Sequence, residues 1–363
     1  MVYRLTAAGR LTACSVPDME EGGQNKAVTM ADVGAAAGVS DRTVSNVLSG
    51  KVAVSPVTRE AVMKAVRDLG YRLNTSARSL KTGRTGSITL AVPDLSIDYF
   101  VGLTQTVLRE AEYLGWSVTV QQTETIRERE LSIVSGVNHQ PGDGLLYQPH
   151  ALGQDDIAAL QPDRPMVLLG ERIFDAPFDH VTMANTEAAA AATRHLLTSG
   201  RRRIAVIGPN LRDTTPTAAT LRLQGYRQAL TGAGVPFRSE LIGQADPWRQ
   251  AQGAAAVEAL IGRGVTFDAL FCFNDTLAFG AMHALHRHGL DVPRDVAVMG
   301  FDNTTASAFC VPALTTVEAG MAHIAKTAVQ LLAQRALPRS EGPPPMPPQV
   351  HVADYSIVRR VSA

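Results

Sequence analysis

The chain has 363 residues, of which 45% are hydrophobic and 19% charged, and its 34 Lys and Arg side chains balance 34 Asp and Glu side chains. This length predicts two or three domains with hydrophobic cores and excludes a small disulfide-held scaffold. No uninterrupted apolar run approaches the ~18 residues of a membrane span, and the N-terminus lacks the apolar block of a secretory signal. Three widely separated cysteines (Cys14, Cys272, Cys310) argue against a disulfide framework or a zinc site. We therefore expect a cytoplasmic protein that needs no cofactor or metal and binds no membrane.

The net charge of zero hides a segregation of charge along the chain. Residues 28–87 carry nine Lys and Arg but four Asp and Glu, whereas residues 88–363 carry 22 basic and 27 acidic side chains. A cationic segment on an anionic body is typical of proteins that bind nucleic acid through one part of the chain. The pattern therefore predicts a nucleic-acid partner for the first segment.

The basic segment contains three short predicted helices. We expect residues 1–27, which lack periodicity, to be a disordered extension. Three N-cap residues, each followed by an apolar-periodic stretch, begin the predicted helices: Thr29, Ser40 and Ser55. Three helices in close succession, the first two joined by a glycine-containing turn, predict a helix-turn-helix domain over residues 28–73.

From Ile88 onward the sequence alternates short apolar strands with amphipathic helices. The predicted strands lie at 88–92, 117–120, 144–147, 166–169, 204–207, 269–273, 296–299 and 350–358. The predicted helices lie at 101–114, 187–197, 222–230, 250–260 and 276–287. This alternation is typical of doubly wound parallel sheets, and the segment is long enough for two lobes. The Pro-rich stretch 338–348 is predicted to be a surface connection.

Several motifs occur in a fixed order along the chain. They are VTMADV (28–33), AGVS (37–40), TVSNVL (43–48), NTSARSL (74–80), FND (273–275), GFDN (300–303) and LTT (314–316). Together they resemble the lactose-repressor/galactose-repressor family of transcription regulators from residue 28 to the C-terminus. The resemblance implies a small all-α helix-turn-helix head and an α/β body that resembles periplasmic binding proteins, with two doubly wound parallel-sheet lobes. It implies a regulator and not an enzyme.

The second predicted helix carries the candidate base-reading side chains. A helix that begins at Asp41 places Arg42 and Asn46 away from the apolar face of Val44 and Val47. Arginine can bind guanine and asparagine can bind adenine through paired hydrogen bonds, and short hydroxyl side chains bond phosphates. The resemblance also places base contacts on this helix, although an ordinary solvated face is the alternative. The DNA-binding residues predicted in the head are Thr29, Ser40, Asp41, Arg42, Thr43, Ser45 and Asn46.

Residues 74–84 are predicted to form a hinge helix or linker, which is too short to be stable alone in water. The resemblance implies that this hinge folds on operator DNA and pairs with its dimer mate in the minor groove. There Leu80 would wedge between base pairs, Ala77 would keep the helix contact close, and Arg78 would neutralise phosphate. Asn74, which begins the hinge motif, completes the predicted DNA-binding set. The alternative is a plain linker with Leu80 packed on the body.

Polar and aromatic side chains follow several predicted strands, where ligands of doubly wound sheets bind. The resemblance implies that the lobes close over a small effector, with Arg222, Asn274 and Asp302 as its contacts. We expect a carbohydrate, with a nucleoside or purine as the alternative. Taken singly, Asp302 could be a loop cap and Trp248 a core residue. The predicted effector-binding residues are Asp98, Tyr99, Phe100, Arg172, Arg222, Trp248, Asn274 and Asp302.

These elements predict the domain boundaries. The body, 85–363, is expected to divide into an N-lobe at about 85–185 and 318–338 and a C-lobe at about 186–317 and 345–363. No leucine heptad follows the last predicted strand, which favours a homodimer over a coiled-coil tetramer. The expected protein is a repressor that binds a double-stranded palindromic operator and changes its DNA affinity when the effector closes the lobes.

A two-lobed enzyme or ligand-binding protein with a helical dimerisation arm is the alternative hypothesis. It requires a catalytic pair, a phosphate loop or a secretory signal, and the sequence contains none of these motifs. His283, His286 and His288 share a predicted helix, but no acidic or Cys residue has ligand spacing, which predicts a solvated face. The triplet Arg201-Arg202-Arg203 is predicted to lie in a surface turn.

Overall fold

The structure is a computed structural model that describes residues 3–5, 11–13, 28–49, 53–71, 84–137, 142–212, 215–336 and 346–363. The chain divides into two compact units, Met1–Arg78 and Ser79–Ala363, and their boundary falls inside the predicted hinge. Four candidate DNA-binding residues of that hinge lie outside the described residues: Asn74, Ala77, Arg78 and Leu80.

Three helices form the head: α1 (Met30–Ala37), α2 (Asp41–Ser49) and α3 (Pro56–Asp68). The hydroxyl oxygens of Thr29, Ser40 and Ser55 accept hydrogen bonds from the backbone N–H three residues later, so each predicted N-cap is confirmed. The side chains that the helices bury against one another are Val33, Val44, Val47, Val62 and Ala65.

Two short strands precede these helices. Strands β1 (Tyr3–Leu5) and β2 (Leu11–Ala13) pair antiparallel, with Tyr3 opposite Ala13. Each strand supplies partners for the other's backbone N–H and C=O groups. The expectation that residues 1–27 lack regular structure is therefore wrong for these two segments.

The N-lobe is built on a six-stranded parallel sheet. Its strands are β3 (Ser87–Val92), β4 (Ser117–Gln122), β5 (Leu145–Tyr147), β6 (Met166–Leu169), β7 (Asp179–Met183) and β13 (Val350–Ala353), in the spatial order β13-β7-β6-β5-β3-β4. Its helices are α4 (Asp98–Tyr113), α5 (Arg127–Val134) and α10 (Met321–Ala336). Strands β5 and β6 are buried along their whole length, as expected for a parallel sheet with covered faces.

The C-lobe is built on a four-stranded parallel sheet. Its strands are β8 (Ile204–Ile207), β9 (Ile242–Gly243), β10 (Ala269–Cys272) and β11 (Ala297–Met299), in the order β11-β10-β8-β9. Its helices are α6 (Asn185–Thr198), α7 (Ala218–Gly232), α8 (Gln250–Gly262) and α9 (Asp275–Arg287). A separate antiparallel pair joins β12 (Thr316–Glu318) to β14 (Ser356–Val358). Two α/β lobes of parallel strands agree with the predicted fold class.

The C-terminal part of the chain differs from the prediction. The single strand expected at 350–358 is two strands, and β13 pairs with β7, so that Val350 lies beside His180 in the N-lobe sheet. Residues 350–353 therefore belong to the N-lobe and not to the predicted C-lobe. Parallel pairing joins residues far apart in sequence, which a local pattern does not reveal.

Five helices and strands of the body were not predicted: β7, β9, β12, α5 and α10. Strand β7 was not predicted because Asp179 and His180 are polar, although both are buried. The other predicted strands and helices of the body are confirmed to within a few residues. No helix among the described residues is long and apolar enough to cross a membrane.

Candidate functional site

Helix α2 exposes most of the side chains predicted to contact DNA bases. Asp41, Arg42 and Ser45 are exposed, Asn46 is half-buried, and Val44 on the opposite face is buried. A recognition helix needs an exposed polar face opposite the core, and an ordinary solvated helix face has the same geometry. The structure thus places these residues as predicted, and their contacts with DNA remain a prediction.

The hydroxyl side chains near α1 and α2 already have partners within the head. Ser40 Oγ lies 3.0 Å from Thr43 Oγ1, and Thr29 Oγ1 donates to Asp32 Oδ2 at 2.8 Å. These bonds hold the N-terminal turns of both helices. Backbone N–H groups at such helix N-termini can also bind phosphate oxygens.

The body contains a cavity of about 430 Å³ between its two lobes. It is lined by residues that follow the carboxyl ends of strands in both sheets, among them Asp94 after β3, Glu171 after β6 and Asn274 after β10. Ligands of parallel α/β sheets bind at this end of the strands. The cavity is the candidate effector site.

Seven of the eight predicted effector residues line this cavity: Tyr99, Phe100, Arg172, Arg222, Trp248, Asn274 and Asp302. Asp98 does not, and its side chain is exposed. It is the first residue of α4, where a carboxylate lies favourably near the positive end of the helix dipole. Asp98 is therefore removed from the candidate site.

Arg222 is the buried cation of the cavity, with 3% of its side chain exposed. Its Nε donates to Asn185 Oδ1 at 2.8 Å, its Nη1 donates to the carbonyl of Phe273, and its Cζ lies 3.5 Å from the centroid of the Phe301 ring. Burial lowers the pKa of Arg222, and Asp302 opposes that shift from 3.7 Å. These contacts fix the guanidinium in one orientation at the cavity wall.

Aromatic side chains form part of the wall. Trp248 Nε1 donates to the carbonyl of Gly208 at 2.8 Å, which fixes the indole, and its ring packs edge-on against Phe273. Tyr99 and Phe100 pack edge-to-face, with ring centroids 5.3 Å apart. Such faces suit the apolar side of a sugar ring or a planar base.

Asp302 lies in a strained turn at the cavity. Its φ is 106°, and the following Asn303 has φ 50°, both in the left-handed region. Burial raises the pKa of the Asp302 carboxyl well above its ordinary value, Arg222 lowers it, and Asp275 and Glu171 raise it further. Strained residues of this kind concentrate at functional sites.

Asn274 and Asp275 anchor the start of α9 beside that turn. Asn274 Oδ1 accepts from the N–H of Leu277 at 2.8 Å, so its amide nitrogen is the group that remains for a ligand. The Asp275 carboxylate accepts from Thr316 Oγ1 at 2.5 Å and from the Thr304 N–H at 2.7 Å. Burial nevertheless raises the pKa of Asp275 to about 6.

Two further groups of the site were missed in the sequence. Glu171 Oε1 accepts from Asn185 Nδ2 at 2.8 Å, so a chain of hydrogen bonds runs from Glu171 through Asn185 to Arg222. Glu171 lies two residues after the end of β6, next to Arg172, and the strand-end rule could have found it. Asn185 begins α6, and only the tertiary structure brings it to Arg222.

A buried carboxylate supports another wall of the cavity. Glu130 is fully buried and accepts from the Tyr147 hydroxyl at 2.7 Å and from the N–H groups of Ala151 and Leu152 at 2.9 Å. These bonds hold the loop after β5. That loop carries Gln148, Pro149 and His150, which line the cavity.

The polar clusters predicted to be structural show no ligand geometry. His283, His286 and His288 are exposed, and His288 Nε2 lies 2.5 Å from Glu258, which lowers the pKa of that carboxyl. Within the described ranges, no group of three or more His, Cys, Asp or Glu residues could hold a metal ion. Arg201 donates to the carbonyls of Asp268, Pro293 and Asp295, so it ties the start of β8 to neighbouring loops.

Comparisons with known proteins find similarity to both the head and the body. Residues 29–74 match the family described as bacterial regulatory proteins, lacI family, and residues 193–363 match the periplasmic binding protein-like domain. The transcriptional regulator GalR of Escherichia coli is 31% identical over 336 residues, which cover 92% of this chain and 95% of GalR. A CelR–cellobiose complex is 28% identical with a TM-score of 0.67, covering 93% of this chain and 100% of the other. The Lac repressor dimer bound to operator and the anti-inducer ONPF is 26% identical with a TM-score of 0.75, covering 93% and 99%.

Proposed function

Because the chain belongs to the lactose-repressor/galactose-repressor family of DNA-binding transcription regulators, which are not enzymes, we propose that it is a cytoplasmic repressor. In this proposal the protein binds a palindromic operator as a homodimer. A small effector, a carbohydrate, controls its DNA affinity. The alternative hypothesis of a two-lobed enzyme is discarded.

One observation carries the proposal, namely that a helix with an exposed polar face and a cavity lined by polar and aromatic side chains occur on the same chain. Helix α2 exposes Arg42 and Ser45, and the body holds a cavity lined by Arg222, Asp302 and Trp248. An effector that binds two conformations of the body with different affinities shifts their populations. The hinge residues Asn74, Ala77, Arg78 and Leu80 complete the proposed DNA contacts by resemblance.

The homodimer is supported by apolar side chains that the single chain leaves exposed. Val311 is 94% exposed, Phe309 80% and Tyr113 84%. Exposed apolar side chains that lie close together mark surfaces that bind another protein, and Phe309 and Val311 are two residues apart. The Lac repressor similar to this chain is a dimer. We expect analytical ultracentrifugation of the full chain to give a dimer at micromolar concentration, and a monomer would contradict the proposal.

DNA binding is tested with the full chain and a fluorescent duplex from its own upstream region. In anisotropy titrations, the affinity of the protein for the duplex should fall steeply between about 50 and 200 mM salt, because Lys and Arg that neutralise phosphates release counterions. A salt slope near zero would overturn the proposal.

Base reading is tested with a variant of α2. Arg42→Ala should cost about 1–3 kcal/mol of binding free energy on the specific duplex and much less on a scrambled one. Arg59→Ala, on α3, is the matched control.

The effector class is tested by thermal shift against carbohydrates, nucleosides and purines. A ligand that binds the folded body raises its Tm. Stabilisation by a carbohydrate supports the proposal, whereas stabilisation by nucleosides or purines alone would replace the sugar with the alternative ligand. Repeating the anisotropy titration with the stabilising ligand then measures whether it weakens or strengthens operator binding.

A further inference from the structure

The buried carboxylates of the cavity have hydrogen-bonding capacity that the protein leaves unused. Asp302 is 6% exposed, yet no described residue donates a hydrogen bond to its carboxylate, and its nearest cation is Arg222 at 3.7 Å. Glu171 is 7% exposed and accepts from Asn185 through Oε1, while Oε2 accepts from none of the described residues. Since buried polar groups are normally hydrogen-bonded, these oxygens are acceptors available to a ligand.

In contrast, each of the three guanidinium nitrogens of Arg222 already donates a hydrogen bond within the protein. Nε donates to Asn185, Nη1 to the carbonyl of Phe273 and Nη2 to Met183 Sδ at 3.4 Å. A guanidinium has five N–H donors, so at most two remain for a ligand. The nearest charge to those two is the Asp302 carboxylate.

The second arginine that lines the cavity is Arg172. The hydrogen bond from the Gly153 N–H lowers the pKa of Asp156, and the charges of Arg127 and Arg172 lower it further. The cavity is lined by four carboxylates, Asp94, Glu171, Asp246 and Asp302, against two arginines, Arg172 and Arg222. Acidic side chains therefore outnumber the cationic ones in its wall.

We propose that the cavity takes a carbohydrate that carries no phosphate or carboxylate group, and that it accepts an amino sugar as well as a neutral one. This inference rests on the proposed sugar effector and adds the charge of the ligand. Sugar hydroxyls and ammonium groups donate hydrogen bonds to the free oxygens of Asp302 and Glu171. A phosphate or carboxylate would lose its hydration beside like charges and gain few donors in return.

The test uses the full chain and sets of ligands that share one sugar skeleton. Isothermal titration compares glucose with glucosamine, glucose 6-phosphate and glucuronate, and galactose with its corresponding derivatives. For each skeleton that binds, we expect the anionic forms to bind at least about tenfold more weakly than the neutral sugar. The amino form should bind at least as tightly as the neutral form.

Two conservative variants test whether the named carboxylates cause the discrimination. The penalty is the factor by which the phosphorylated sugar binds more weakly than the neutral sugar. Glu171→Gln and Asp302→Asn should each reduce this penalty at least about threefold, since each removes one negative charge with little change of shape. Glu240→Gln, whose side chain is exposed outside the cavity, is the control and should leave the penalty unchanged. Because the two variants are independent, one that fails to fold leaves the other to decide.

The outcomes separate this inference from the proposed function. An anionic sugar that binds as tightly as its neutral counterpart, or variants that keep the full penalty, would overturn the inference and leave a sugar effector in place. If no carbohydrate of any charge binds, the proposed sugar effector fails, and the inference fails with it.

Discussion

The Asp94 carboxylate and the Arg249 guanidinium lie 2.7 Å apart, although the two residues belong to opposite lobes. Asp94 follows β3 in the N-lobe and lines the cavity, and Arg249 precedes α8 in the C-lobe. The Ser96 N–H also donates to Asp94 at 2.8 Å. Burial raises the pKa of Asp94, but the Ser96 hydrogen bonds and the Arg249 charge outweigh it and hold that pKa below its usual value. The pair therefore joins the two lobes beside the cavity.

We expect Asp94→Asn and Arg249→Gln each to weaken binding of a neutral sugar by up to about fivefold, because a half-exposed ion pair contributes about 0.2–1 kcal/mol to the closed form. The double variant should lose no more than either single variant, which a double-mutant cycle by isothermal titration measures. The control is Glu240→Gln, which breaks an ion pair within the C-lobe. Strictly additive losses would show that the two side chains do not act as a pair.

Gly225 allows helix α7 to approach α6 closely. A Cβ at this position would lie 2.1 Å from the carbonyl oxygen of Thr186. We expect Gly225→Ala to lower the free energy of unfolding by about 1–3 kcal/mol, because the helices must separate. It should also weaken sugar binding, because Arg222 on α7 would move away from Asn185. Gly232→Ala on the same helix, with no atom near its Cβ, should be neutral or stabilising by about 0.5–1 kcal/mol. Equal melting temperatures for the two variants would refute this account.

Arg360 holds the strained turn that carries Asp302. Its Nη2 donates to Asn303 Oδ1 at 2.7 Å, and its Nη1 donates to the carbonyl of Leu314 at 2.7 Å. We expect Arg360→Met to cost about 1.5–3 kcal/mol, the range for hydrogen bonds to charged groups, and to weaken sugar binding. Arg359→Met removes an exposed neighbour of the same type and should stay within about 0.5 kcal/mol. Chemical denaturation and titration of both variants measure the difference, and sugar affinity unaffected by Arg360→Met would remove its positioning role.

The raised pKa of Asp275 predicts that the stability of the folded chain depends on pH. Its pKa is about 6 in the folded chain, above the roughly 3.9 of an unfolded aspartate. The folded protein therefore holds this proton more tightly, so the contribution of Asp275 to stability falls as pH rises from about 4 to 6. The loss reaches about 3 kcal/mol at neutral pH.

Asp275→Asn isolates this contribution because asparagine does not titrate. The difference in free energy of unfolding between wild type and variant should move in favour of the variant by up to about 3 kcal/mol between pH 4 and 7. The variant keeps only one of the two oxygens that accept from the Thr304 N–H and the Thr316 hydroxyl, so it can be less stable at every pH. A difference that does not change with pH would contradict the raised pKa.

The sequence predicted the features that depend on neighbouring residues. Thr29, Ser40 and Ser55 mark their helix starts because a hydroxyl three residues before a backbone N–H can cap it wherever the helix later packs. The buried strands β6 and β8 are apolar throughout, so their pattern was visible. The strand-end rule and the resemblance together predicted eight effector residues, of which seven line the cavity.

Only the tertiary structure decided which distant residues meet. Strand β13 joined the N-lobe because parallel pairing depends on the return path of the chain and not on local pattern. Asp98 and Glu171 are both carboxylates after a strand, yet the first turn of α4 directs one to solvent while the other reaches Asn185. Asp94 and Arg249 are 155 residues apart. Their ion pair exists because folding brings the lobes together, and no spacing along the sequence encodes that distance.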